Sequence, residues 1–90
     1  MRFEWDPRKA ASNRRKHEVT FEEAITCFAD PLALVLEDRG HADRIVLIGV
    51  SAASRVIFTV YAEVGEEGVR IISARRATRH ERRRYEEGTD

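Results

Sequence analysis

Arg44-Ile45-Val46-Leu47-Ile48-Gly49-Val50-Ser51-Ala52-Ala53-Ser54-Arg55-Val56-Ile57-Phe58-Thr59-Val60-Tyr61-Ala62 is a pair of apolar runs separated by small residues. Each run is rich in β-branched and aromatic side chains, shorter than an ordinary helix, and bounded by turn-forming residues, so both read as strands. Almost every position in them is apolar. That predicts a sheet covered on at least one face and partly on both. Working outward, Leu32 to Leu36 is a strand that reaches this pair through the polar loop Glu37 to Asp43. On the other side, Gly65-Glu66-Glu67-Gly68 turns the chain into Val69 to Ala74. Connections this short favour an antiparallel meander.

The flanks carry helical signals. Arg2-Phe3-Glu4-Trp5 alternates polar and apolar, as a short first strand does. Asp6-Pro7 then opens a helix, with Asp as cap and Pro at the first turn. This helix is expected from Pro7 to Lys16 or His17. Thr20 and Glu23 have capping-box spacing, and Phe21, Ala24, Ile25 and Phe28 give the next helix an inner face, up to Asp30-Pro31. Arg75-Arg76-Ala77 is expected to turn. Thr78 to Glu86 is expected to form a last helix, with Thr78 and Glu81 as its capping box and Gly88 as its stop; the final few residues are expected to fray. The order is β-α-α-β-β-β-β-α. The expected fold is α+β, one domain over residues 1–90, with helices packed on one face of a twisted, mainly antiparallel sheet.

Ninety residues leave room for one thin core, and 42% apolar content is enough to pack it. No apolar stretch approaches the roughly 20 residues that cross a bilayer. The opening Met1-Arg2-Phe3-Glu4-Trp5-Asp6 is charged, unlike a signal peptide, so a cytoplasmic protein is expected. The lone Cys27 excludes an internal disulfide and any cysteine-based zinc pattern. With no glycine-rich phosphate loop and no acid pair at metal spacing either, neither metal nor cofactor is expected.

The formal net charge of zero hides a segregation. Residues 1–17 hold six Lys/Arg against two acids, and residues 69–90 hold seven against four. Residues 18–43 hold one against seven. If the two ends of the chain meet, they make one basic surface, and such a surface attracts phosphates because fields are local and screened within about 8–10 Å. The bland alternative is a pair of solvated helices.

Lys9, Asn13 and Lys16 share one stripe of the first helix, with His17 beside its end. The stripe could grip a nucleic-acid backbone, or simply face solvent. Imidazole is the side chain commonly used as a base or acid at neutral pH, so His17 is a candidate for proton transfer; a helix-capping role is the alternative. Arg70, Arg75 and Arg76 suit two-point phosphate binding. Strict alternation puts Arg70 and Arg76 on one face and Arg75 on the other. Arg70, inside an apolar strand, needs solvent or a partner such as Glu81. Glu81 and Tyr85 share a face of the last helix and are candidate acid–base or orienting groups, or else a cap and an amphipathic rim. Arg79 and Arg82 are further candidates for RNA contact. Without a metal, hydrolysis is open to RNA, whose own 2′-OH can attack the adjacent phosphate; DNA lacks that nucleophile.

Phe3-Glu4-Trp5-Asp6, Lys9, Asn13, Lys16-His17, Val19, Phe21-Glu22-Glu23-Ala24 and Phe28-Ala29-Asp30-Pro31 together resemble the opening signature of the BrnT toxins. Arg70-Ile71-Ile72-Ser73-Ala74-Arg75-Arg76-Ala77, Glu81-Arg82 and Tyr85 resemble its closing signature. The resemblance spans nearly the whole chain. It implies a ribonuclease toxin of a type II toxin–antitoxin pair with a fold similar to RelE toxins. It also implies a BrnA-type, DNA-binding antitoxin as partner, and an assembly of two toxins and two antitoxins that represses its own operon, with operator DNA reached only through the antitoxin. One departure stands out: the family usually has glycine after Lys-His, and Glu18 stands here. Glutamate in a left-handed helix end costs about 1 kcal/mol, so a different helix ending is expected.

The function read from all this is a metal-independent endoribonuclease toxin that stops growth by cutting RNA. In it His17, Arg70, Arg75, Arg76, Glu81 and Tyr85 are catalytic, and Lys9, Asn13, Lys16, Arg79 and Arg82 bind RNA. The alternative is a binding module, for RNA or for an antitoxin, without chemistry; a structural dimer module is a third.

Overall fold

The computed structural model describes residues 1–88; the expected fraying of the last residues bears on Thr89 and Asp90, which lie outside the described residues. The elements are β1 (Arg2–Glu4), α1 (Pro7–His17), α2 (Phe21–Thr26) continued by a single 3₁₀ turn (Cys27–Ala29), β2 (Leu34–Glu37), β3 (Ile45–Val50), β4 (Val56–Val64), β5 (Gly68–Arg76) and α3 (Arg79–Glu87). The strands form one five-stranded sheet in the order β1-β5-β4-β3-β2. β2 through β5 are antiparallel neighbours, and β1 runs parallel to β5 at the far edge. Gly68 makes the β4–β5 turn tight, because a Cβ there would lie 2.3 Å from the Val64 carbonyl oxygen.

Both faces of the sheet are covered, by different helices. On one face Val19, Phe21, Ala24 and Cys27 pack on Leu47, Ile57, Tyr61, Val69, Ile71 and Ala74, with Trp5 edge-on to Phe21. This is the main core, under α1 and α2. On the other face Leu34, Val46 and Ile48 gather Leu36, Val56, Phe58, Val60 and Ala77, and Tyr85 of α3 packs there. The expectation of helices on a single face is therefore corrected. α3 crosses to the reverse side because Arg75 and Arg76, expected to turn, are the last residues of β5. Ala77 still bonds to the sheet, through its N–H to Val56 O.

Helix ends follow their local chemistry, with two exceptions. Asp6 caps α1, and Thr78 with Glu81 forms a complete capping box on α3. Thr20 accepts from the Glu23 N–H, but the Glu23 side chain turns away from Thr20, so only half of that box forms. Glu18 adopts φ 57°, ψ 33°, the left-handed ending that glycine usually supplies, and its N–H bonds to Arg14 O. The helix thus ends as it would with glycine, and the strain is carried by a glutamate.

Candidate active site

Asn13 explains how the opening helix reaches the closing strand. Its side chain is 7% exposed. Nδ2 donates to Val19 O (3.0 Å) and Ala74 O (2.7 Å), and Oδ1 accepts from Ala74 N (3.1 Å). The amide therefore ties α1, the α1–α2 link and β5 together, and its donors and acceptor are taken. It faces inward, while Lys9 and Lys16 are exposed, so the expected Lys9–Asn13–Lys16 stripe is broken. An uncharged amide with both hydrogen-bonding ends can complete a strand's backbone ladder from a helix, which neither lysine could do.

The arginines of β5 are sorted by a bulge. Ser73 pairs with Val60 and Ile71 with Tyr61, so Ile72 is an extra residue in the ladder. An extra residue inverts the alternation beyond it. Arg70 opposite Ala62 and Arg75 opposite Phe58 thus share the α3 face. Arg76 lies opposite Ile57 on the face of α1 and α2. This reverses the sequence-based assignment, which put Arg70 with Arg76.

Partners follow from that sorting. Arg70 Nε and Nη2 donate to Glu4 Oε2 at 2.9 and 2.6 Å across the β1–β5 pair, so its partner is Glu4 and not Glu81. Arg75 makes a two-point pair with Glu81, Nη1–Oε1 2.8 Å and Nη2–Oε2 2.9 Å, and its guanidinium lies 4.0 Å from the Phe58 ring centre. The bond from Arg75 outweighs burial and holds the Glu81 carboxyl below its ordinary range. Arg75 is raised in return, again chiefly through that bond. A carboxylate held this firmly by a guanidinium is a weak proton acceptor. The Tyr85 hydroxyl donates to Asp30 Oδ2 at 2.5 Å, and that bond, with burial behind it, pushes the phenol up to about 12. Burial works against the Asp30 charge, but bonds from Tyr85, Val50 N and Leu32 N prevail and keep its carboxyl low. The Arg75–Glu81 and Tyr85–Asp30 contacts fasten α3 to the sheet.

Arg76 is different. It lines an open cleft of about 360 Å³ with Ser54, Arg55, Val56, Ala77 and Arg82, where β4 begins and β5 ends. Among the described residues, neither Arg76 nor Arg82 has a carboxylate oxygen within 4.0 Å. Arg55, which sequence reasoning missed, is anchored at the same place. Its Nε donates to Glu23 Oε2 (2.9 Å), and Nη2 donates to Glu23 Oε1 and to Glu18 O (3.2 Å). The Ser51 hydroxyl adds a bond to Glu23 Oε2 at 2.7 Å. The Arg55 bond comes first, with the Ser51 hydroxyl and the charges of Arg55 and Arg76 behind it; together they outweigh burial and hold Glu23 low. Through Glu18, the network brings the end of α1, where His17 is exposed, to the margin of the cleft. No local pattern announces Arg55, because its partner is 32 positions away.

The geometry therefore divides the sequence candidates. Arg76 and Arg82 share a cationic cleft, and His17 lies on the helix end tied to it. Arg70, Arg75, Glu81 and Tyr85 are engaged with other groups on the opposite face, and Asn13 is buried. Lys9, Lys16 and Arg79 are exposed on their helices. A cleft with two uncompensated guanidinium groups can hold a phosphodiester and stabilise charge developing on it.

A family model described as "Ribonuclease toxin, BrnT, of type II toxin-antitoxin system" matches residues 5–81. The chain belongs to the BrnT ribonuclease toxin family. Membership gives the chain an antitoxin as its partner class. The fold agrees: the Brucella abortus ribonuclease toxin BrnT, whose crystal structure was determined at 1.1 Å, superposes with a TM-score of 0.73 at 28% sequence identity, over 88% of this chain and 99% of that one. A search of curated protein sequences finds no match. The matched span contains α1, Arg55, Arg76 and the Arg75–Glu81 pair, whereas Arg82 and Tyr85 lie beyond it.

Proposed function

We infer that this toxin is a metal-independent endoribonuclease that seats the scissile phosphate between Arg76 and Arg82. The observation carrying this is that Arg76, alone among the closing-strand arginines Arg70, Arg75 and Arg76, has no carboxylate partner among the described residues, and it opens into a cleft with Arg82. The nearby carboxylates support the absence of a metal step: Glu23 is spent on Arg55, Glu81 on Arg75, and Asp30 on Tyr85 and two backbone N–H groups. An arginine-lined cleft also repels a divalent cation.

In the reaction, the substrate 2′-oxygen attacks the adjacent phosphorus and the bond from phosphorus to the 5′-oxygen breaks. The 2′ proton passes to a base, and a proton is delivered to the leaving 5′-oxygen, giving a 2′,3′-cyclic phosphate. Arg76 and Arg82 balance the charge that builds on the non-bridging oxygens. His17 is the proton-transfer group best placed for this by its exposure and its tie to the cleft margin. Lys9, Lys16 and Arg79 make backbone contacts. In this reading Arg75, Glu81 and Tyr85 position α3, and with it Arg82, while Arg70 braces β1. The chain acts as one domain over residues 1–90, of RelE-like type, in the cytoplasm. A BrnA-type antitoxin neutralises it in an assembly of two toxins and two antitoxins that meets operator DNA through the antitoxin.

The test is cleavage of a purified RNA in the presence of EDTA. Wild-type protein is expected to leave 2′,3′-cyclic ends, and Arg76→Ala to leave the RNA uncut while keeping its fold. RNA that stays intact with the wild type, or cleavage by Arg76→Ala at the wild-type rate, overturns the reading. Intact RNA that is nonetheless bound would point to the module without chemistry.

A further inference from the structure

We propose that Arg55 is a third phosphate-contacting residue of the cleft, held in place by Glu23 and presenting one unspent guanidinium nitrogen to the RNA. The proposal rests on the cleft reading above and adds a residue to it.

Three of the five guanidinium N–H bonds have a place in the protein. Nε and Nη2 of Arg55 serve both oxygens of Glu23 and the Glu18 carbonyl, and among the described residues Nη1 has no acceptor. Arg55 nonetheless lines the cleft, side by side with Arg76 and Arg82. A guanidinium fixed along one edge by a carboxylate keeps its other edge rigid and aimed. Little side-chain freedom then remains to be lost when a phosphate oxygen arrives. The carboxylate is itself locked, by the Ser51 hydroxyl as well as by Arg55. Such a built arrangement is more than a surface pair needs, since exposed pairs contribute little to stability. It also explains why the cleft can carry three arginines at all. Glu23 offsets one charge in the free protein, so three like charges are not left facing each other, while the contact edge of Arg55 stays open.

A lysine has no second nitrogen and no rigid far edge, so an ammonium drawn to Glu23 leaves nothing held out and aimed into the cleft. Arg55→Lys is therefore the discriminating variant. Arg55→Gln combined with Glu23→Gln removes the charge while leaving a neutral hydrogen-bonding pair. Two quantities separate contact from scaffolding. The first is the salt dependence of affinity for an RNA made uncleavable by 2′-O-methylation. Loss of one phosphate contact lowers the slope of log K against log salt by about 0.7. The second is kcat on the unmodified RNA, expected to fall on the order of 10²-fold in both variants. A purely structural Arg55 would lower the melting temperature but leave the slope, and kcat per folded molecule, as in wild type; that result overturns the proposal. Because the binding measurement needs no cleavage, a wild type that binds but does not cut would sink the nuclease reading without touching this one. If the double variant fails to fold, Arg55→Lys alone decides, through the same slope.

Discussion

Arg75 and Arg76 are adjacent in sequence, identical in chemistry, and opposite in fate. Arg75 lies under α3, clasped by Glu81 and stacked on Phe58. Arg76 lies on the other face, near Glu23 and Arg55, and opens into the cleft with no carboxylate of its own among the described residues. The difference comes from strand geometry, because successive side chains leave opposite faces of a sheet. One arginine joins two elements together and the next stays open to the cleft. Charge that is already neutralised stabilises the fold, and charge that is left over can stabilise a transition state.

The largest effect that could break this contrast is on activity. Arg76→Ala should lower kcat/KM for RNA by about 10²- to 10³-fold, with stability within roughly 0.5 kcal/mol of wild type; steady-state cleavage and urea unfolding would check the two halves. Arg75→Ala should do the converse. It strands Glu81, and about 1–2 kcal/mol of stability should go, less than for a buried pair because water reaches the guanidinium. Its kcat per folded molecule should stay closer to wild type than that of Arg76→Ala. Equal activity losses in the two variants would erase the distinction.

Acid sharpens the same comparison. The folded protein holds Glu81 below its free value of 4.5. Its carboxylate therefore adds stability above that pH, and the gain disappears as pH falls through the lower folded value. The stability advantage of wild type over Glu81→Gln should shrink as the pH is taken below about 4.5, as unfolding midpoints would record. Smaller again, Glu18→Gly should raise stability by about 0.5–1 kcal/mol, since glycine adopts the left-handed ending without strain. A melting temperature that does not rise would mean that Glu18 is compensated elsewhere.

Much of the fold was legible because its signals are local. The apolar runs at Arg44–Val50 and Arg55–Ala62 are β3 and β4, and Asp6-Pro7 and Thr78–Glu81 mark helix starts. What escaped was set at a distance. One added residue at Ile72 moves Arg70 onto the face of Arg75, away from Arg76, and nothing in its apolar side chain says so. Asn13 looks like a solvent-facing polar residue until Ala74 is beside it. Arg55 reads as the edge of a strand until Glu23 is brought up from 32 positions away. The cleft arginines come from β5, α3 and the start of β4, and none comes from the opening helix, so the expected gathering of cations from both ends of the chain is not what lines it.

The pairing of β1 with β5 and the Asn13 clamp on Ala74 also order events during synthesis. β1 and α1 emerge from the ribosome first, yet the strand that receives them is made near the end, and joining segments so far apart in the chain is slow. Arg76 and Arg82 are later still. A partly made copy therefore has neither the proposed cleft nor the brace for its first helix, so on the reading above the chain gains its activity only when its last helix is in place.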